Sequence, residues 1–111
     1  MVVKKKGQMS DARISEVARV FAALAEPSRL KLLRELIERP LTVSELIDAT
    51  GLQQGNVSKH LGVLVSGGFI SREAEGNFAR YRLADATVVT LCELMCARVE
   101  AHAQKRAKEL S

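Results

Sequence analysis

Two small sets of residues in this 111-residue chain have types and spacings that could do chemistry. The first is Cys92 and Cys96, four apart in the stretch ATVVTLCELMCARVEAHAQKRAKEL. Residues i and i+4 are neighbours on a helix, so both sulfurs project from one side. Paired thiolates suit arsenite, antimonite, cadmium or copper(I), and accessible thiols also carry redox or persulfide chemistry. A disulfide within one helix is strained, because both Cβ atoms lean the same way along the axis. A bond or sulfur bridge across two chains is easier to form. Packing is the plain alternative, since cysteine is among the most buried residue types and Cys92 lies on an apolar stripe. The metal, redox and packing readings all stay open at this point.

The second set is QQGNVSKH, residues 53–60. The amides of Gln53, Gln54 and Asn56 can pair with adenine edges, while Ser58 and Lys59 suit phosphate or groove contacts. Gly55, with Gly62 further on, would let a backbone approach a duplex closely. Helical spacing puts His60 near the edge of a core, so contact and packing are equally open there. No nucleophile stands beside a base, and the two histidines, His60 and His102, are far apart with no ligand spacing. An enzyme is therefore not expected.

These residues need elements to position them. From Leu41 to Ile70 the chain reads as two short helices joined by a tight turn and followed by the start of a strand. Val43, Leu46 and Ile47 share one face of the first helix. Gly51 stands where a helix end wants a residue able to take positive φ. The second helix begins near Gln53 and repeats apolar residues at Val57, Leu61 and Leu64. Its opposite face carries Gly55, Lys59, Gly62 and Ser66. A helix that is apolar inward and small, polar and basic outward can lie in a major groove. This is a helix-turn-helix pattern.

Around it, residues 1–10 are expected to be a flexible basic tail in which Lys4, Lys5 and Lys6 could touch phosphates, and residues 11–111 one domain. Ser10 or Asp11 can cap a helix with the stripe Ile14, Val17, Phe21 and Leu24. Pro27 suits the first turn of a second helix, whose expected buried face is Leu30, Leu33, Leu36 and Ile37, and Arg39-Pro40 stops it. Thr42 or Ser44 can cap the third helix. After Gly67-Gly68, Phe69 and Ile70 open one strand, and Ala79, Tyr81 and Leu83 alternate along a second, with Gly76-Asn77 as the turn. Arg72, Arg80 and Arg82 decorate this two-stranded hairpin, so its tip, with Asn77, could reach phosphates or a minor groove. Asp85 can cap a last helix with the stripe Val88, Cys92, Met95, Val99 and Ala103. A stripe that wide on a terminal helix suggests a second copy of the chain against it.

Composition agrees with that outline. Hydrophobic content of 47% with only 4% aromatics calls for an aliphatic, mainly helical core. The net charge of +4 favours a polyanionic partner. Two close cysteines are no disulfide framework, no apolar run approaches the roughly 20 residues of a membrane span, and MVVKKKGQMS lacks a signal peptide's apolar core. A reducing, cytoplasmic setting is expected.

FAALAEPSRLKLLREL, then LTVSELIDATGLQQGNVSKHLGVLVSGGFI, then GNFARYRL together resemble the ArsR/SmtB family of bacterial winged-helix repressors, over about residues 14–100. Ser58, His60, Leu61, Leu64 and Gly68-Phe69-Ile70 carry the match in register. The resemblance implies a mainly α fold of about five helices plus a two-stranded wing. It implies a homodimer paired through its first and last helices on an imperfect palindrome in double-stranded operator DNA, with release by an effector. It also places His60 at a position associated with DNA contact. Family members that hold a metal through two cysteines in the third helix have them where this chain has Thr42 and Ser44, and hydroxyls are poor ligands for soft metals. An Asp, His, His, Glu zinc set between the last helices would fall on Asp85, Thr87, Arg98 and Ala101, and only Asp85 matches. A soft metal or metalloid at Cys92 and Cys96, thiol redox or reactive-sulfur sensing there, and structural cysteines are the readings left. A winged-helix module that binds protein is the rival outside DNA regulation.

Overall fold

Helix ends in this chain are set by local hydrogen bonds that the sequence supplies. The computed structural model describes residues 9–111; Lys4, Lys5, Lys6 and most of the expected tail lie outside them. Ser10 accepts the Arg13 backbone N–H and starts α1 (Asp11–Leu24). Glu26 does the same for Arg29 at the start of α2 (Pro27–Glu38), with Pro27 in the first turn, where its missing N–H leaves no gap. A two-residue strand, β1 (Leu41–Thr42), leads into α3 (Val43–Thr50). Thr42 Oγ1 accepts from the Glu45 backbone N–H at 3.2 Å, and the Thr42 N–H donates to Glu45 Oε1 at 2.9 Å. This reciprocal capping box satisfies two donors that the helix cannot. Gly51 ends α3 with φ of 74°, a left-handed turn that a side chain would disfavour.

The turn leads to α4 (Gln54–Ser66), then β2 (Ile70–Glu75), β3 (Phe78–Leu83) and α5 (Ala86–Leu110), whose N-cap Asp85 accepts the Thr87 N–H. Gly76, the first of the two turn residues between β2 and β3, takes φ of 62°, while Asn77 keeps a negative φ. The described residues form a winged helix-turn-helix with five helices, as expected, but their sheet has three antiparallel strands in the order β1-β3-β2. Leu41 pairs with Tyr81 and Thr42 with Arg80, while β2 and β3 run in register from Ile70–Leu83 to Glu75–Phe78. The expected two-stranded hairpin therefore gains an edge. Two residues are too few to show alternation, and what holds them is Leu41, buried beneath the sheet.

The core joins Leu32, Leu33 and Leu36 of α2 to Leu46 of α3, Val57, Leu61 and Leu64 of α4, and Leu24, Leu41, Phe69, Ile70 and Val88. The expected α2 face is corrected by this list: Leu33 and Leu36 are buried and Leu32 joins them, but Leu30 and Ile37 are exposed. These two turn toward α5 and line an open groove there. Of the α1 stripe only Leu24 is buried, and of the α5 stripe only Val88.

Arg80 links the wing to α3, since its guanidinium lies 3.0 Å from Glu75 and 3.2 Å from Glu45. Glu45 is held below the ordinary glutamate value of 4.5, first by the Thr42 N–H and then by Arg80 and Arg39. The hydrogen bond from Arg80 lowers Glu75 likewise. Both carboxylates therefore stabilise the fold fully above their ordinary value, and that contribution is lost as pH falls through their lower folded-state values. Replacing Glu45→Ala lowers the thermal midpoint at neutral pH by a few degrees and flattens the acid limb of midpoint against pH, measurable by circular dichroism.

Candidate nucleic-acid interface and thiol-lined groove

The polar row of α4 is presented because the other side of the helix is consumed by the core. Val57, Leu61 and Leu64 are fully buried. With 3.6 residues per turn, that turns Gln53, Gln54, Gly55, Asn56, Ser58, Lys59 and Gly62 outward, and all seven are exposed. Gln53 is the N-cap, yet its side chain makes no capping bond, so its amide has no role within the helix. A Cβ built on Gly55 or Gly62 meets nothing within 4 Å, so neither glycine is needed for packing inside the chain.

His60 does not join that row. It is 8% exposed, the buried polar residue of the core, with Nδ1 3.2 Å from Arg29 Nη1 and Nε2 3.6 Å from Glu26. Arg29 and Glu26 are functional candidates that sequence reasoning missed. Their signal was an acidic residue and an arginine three apart around Pro27, on a helix otherwise read for its leucines.

On the wing, Arg72 and Asn77 are exposed and open to a ligand. Arg80 is committed to Glu75 and Glu45 and has its pKa raised, chiefly by the Glu75 hydrogen bond. To reach a phosphate it must exchange one of these carboxylates. Arg82 lies 3.0 Å from Glu73. Phe78, 68% exposed beside Asn77 at the wing tip, was also not anticipated.

Cys92 and Cys96 open together onto a groove of about 840 Å³ between α1, α2 and α5. Phe21, Leu24, Leu30, Ile37, Met95 and Val99 give it apolar walls, and Lys31 and Arg34 stand at its edge. Both cysteines are free; Cys92 is half-buried and Cys96 exposed, so neither is packed away within one chain. Burial pushes the Cys92 thiol up, and the neighbouring Cys96 adds to this. Among the described residues no three His, Cys, Asp or Glu side chains cluster as a metal site. Two thiolates fit a soft ion of low coordination number, and any further ligand would have to come from a second chain or from solvent.

The outward polar helix, the short turn before it and the basic wing behind it define a winged helix-turn-helix domain by geometry. Comparison with known proteins agrees. The family model for bacterial regulatory proteins of the arsR family matches residues 26–72. The chain is 40% identical over 77 residues to the "Probable mercury resistance operon repressor" of Streptomyces lividans, covering 69% of this chain and 62% of that protein. The chain thus spans less than two thirds of the length of that curated relative. Among solved structures it resembles a homodimeric winged helix-turn-helix DNA-binding domain from Mycobacterium bovis (TM-score 0.76, 30% identity, 95% of both chains). It also resembles the transcriptional repressor BigR from Xylella fastidiosa (TM-score 0.73, 30% identity, 83% of this chain and 93% of that one). The chain belongs to the ArsR family.

The raised Cys92 thiol sets an order of reactivity. Alkylation with iodoacetamide near neutral pH, followed by mass spectrometry, labels Cys96 ahead of Cys92. Labelling in the reverse order would contradict the burial seen here.

Proposed function

We propose that this chain is a sequence-specific DNA-binding transcriptional repressor that acts in the cytoplasm as a homodimer and is released by an effector at Cys92 and Cys96. The exposed row Gln53, Gln54, Gly55, Asn56, Ser58 and Lys59, on a helix whose other side is fully buried, is the observation that carries the reading. In this reading Gln53, Gln54 and Asn56 meet base edges, and Ser58, Lys59, Arg72 and Asn77 meet phosphate or a groove wall. Arg80 joins them only by giving up a carboxylate. His60 acts from beneath the row instead of touching bases.

The dimer is supported by what α1 and α5 leave uncovered. Ile14, Val17 and Phe21 on α1 and Met95 and Val99 on α5 are exposed, Val99 to 66%. Such a contiguous apolar surface is the kind that associates. A second copy laid along it would double the recognition helices and fit a palindrome. The Mycobacterium bovis neighbour is a homodimer, which supports a two-chain assembly.

For the effector, two thiols on one groove favour a soft metal or metalloid ion, and the resemblance to a mercury resistance repressor supports that class. Oxidation or persulfidation of the same pair is the second reading, supported by the exposure of Cys96.

The deciding experiment is fluorescence anisotropy of the reduced protein on a duplex selected by the wild type from a randomised pool, at fixed salt. Specific binding that falls steeply with rising salt is expected; binding indifferent to salt would point to a protein partner instead. Lys59→Ala weakens all sequences alike and reduces the salt slope by about 1, whereas Gln54→Ala changes the preferred base. Mercury(II), arsenite or cadmium releases wild type but not the Cys92→Ser/Cys96→Ser variant if the pair senses metal, and a persulfide donor does so if it senses reactive sulfur. Release of both proteins by any of these would move the effector site elsewhere.

Gly62 separates stability from recognition. Gly62→Ala gains roughly 0.5–1 kcal/mol of helix stability but binds the selected duplex more weakly, because the new methyl group projects from the outward face. A variant that is more stable and binds equally well would remove that glycine from the interface.

A further inference from the structure

Beneath the outward row of α4, the buried His60 meets two partly exposed side chains, Arg29 and Glu26. The guanidinium of Arg29 donates from Nε to the Ala23 carbonyl (2.5 Å) and from Nη2 to the Ala22 carbonyl (3.4 Å). These carbonyls belong to the last turn of α1, where no N–H of the same helix follows to meet them. Arg29 Nη1 stands 3.2 Å from His60 Nδ1. Arginine only donates, so Nδ1 accepts, which assigns the imidazole as the neutral Nε2–H tautomer. Nε2 then faces Glu26 Oε2 at 3.6 Å, and the same oxygen accepts the Arg29 backbone N–H at 3.0 Å. One guanidinium thus joins the end of α1, the start of α2 and the middle of α4.

We propose that Arg29, Glu26 and His60 form a latch that positions the recognition helix relative to α1, His60 and Arg29 being positioning residues for DNA binding. Its consequence for DNA rests on the repressor reading; its mechanical role does not. The leucines beneath α4 resist rotation, but apolar contact is non-directional and tolerates sliding along the axis. A fixed fork of directed hydrogen bonds does not tolerate it. Ala22 and Ala23 lie between Phe21 and Leu24, both of which wall the groove that holds the two thiols. Whatever moves the end of α1 from the groove side therefore pulls on α4 through Arg29.

The test uses the full chain and the duplex selected by wild type, with a scrambled duplex as the non-specific reference. His60→Leu, which removes the acceptor at Nδ1, loses about tenfold in specific over non-specific affinity, while His60→Asn, which keeps an acceptor near that position, stays close to wild type. Arg29→Lys, which keeps the charge but not the fork, binds the selected duplex about tenfold more weakly, with non-specific binding unchanged. Amide hydrogen exchange of Arg29→Lys shows protection lost together in the last turn of α1 and in α4, and retained in α5. Equal specific affinity in wild type and His60→Leu would overturn the proposal. So would Arg29→Lys that melts earlier yet binds equally well, or exchange that rises in α1 alone. If wild type binds no duplex, the repressor reading fails and the exchange measurement by itself judges the latch.

Discussion

Burial of one face of the recognition helix is the constraint on which the other features depend. Val57, Leu61 and Leu64 are fully enclosed against the leucines of α2 and α3. Each such side chain contributes roughly 1.5–3 kcal/mol relative to exposure, so turning α4 about its axis would expose several of them at once. Because a helix repeats every 3.6 residues, fixing the inner face also fixes the outer one. Gln54, Gly55, Asn56, Ser58 and Lys59 are outward for no reason of their own; they are where the core is not.

The wing is attached by a different kind of interaction. Its two long strands are held to the body by Leu41, inserted beneath the sheet from the short first strand, and by Arg80, which lies between Glu75 of the wing and Glu45 of α3. Exposed ion pairs of this kind add little stability individually. Their effect is orientational, since the same Glu45 that caps α3 through Thr42 also faces the wing arginine. The helix that precedes the turn and the last strand of the wing, β3, are thereby tied to one carboxylate.

The apolar surface is distributed unevenly. The centre of the domain is closed by aliphatic side chains, whereas α1 and α5 leave much of their apolar stripes open along a groove that also holds the thiols. Those stripes have the same periodicity as the buried ones. Periodicity records that a face is apolar, and it is silent on whether the covering surface comes from the same chain or another.

Much of the fold was legible because its signals are local. The cap expected at Thr42 or Ser44, Pro27 in a first turn, Gly51 at a left-handed helix end and the spacing of Val57, Leu61 and Leu64 each act within a few residues, so the helices, the tight turn and the outward polar row follow from the chain itself. The third strand, the exposure of Leu30 and Ile37, and the placement of His60 against Arg29 and Glu26 depend on partners 31 to 40 positions away or on which of two apolar faces finds a neighbour. A residue's type and spacing state what it can bind; only packing in three dimensions selects the partner, because the carbonyls of Ala22 and Ala23 and the ring of His60 become one site for Arg29 only after three helices have met.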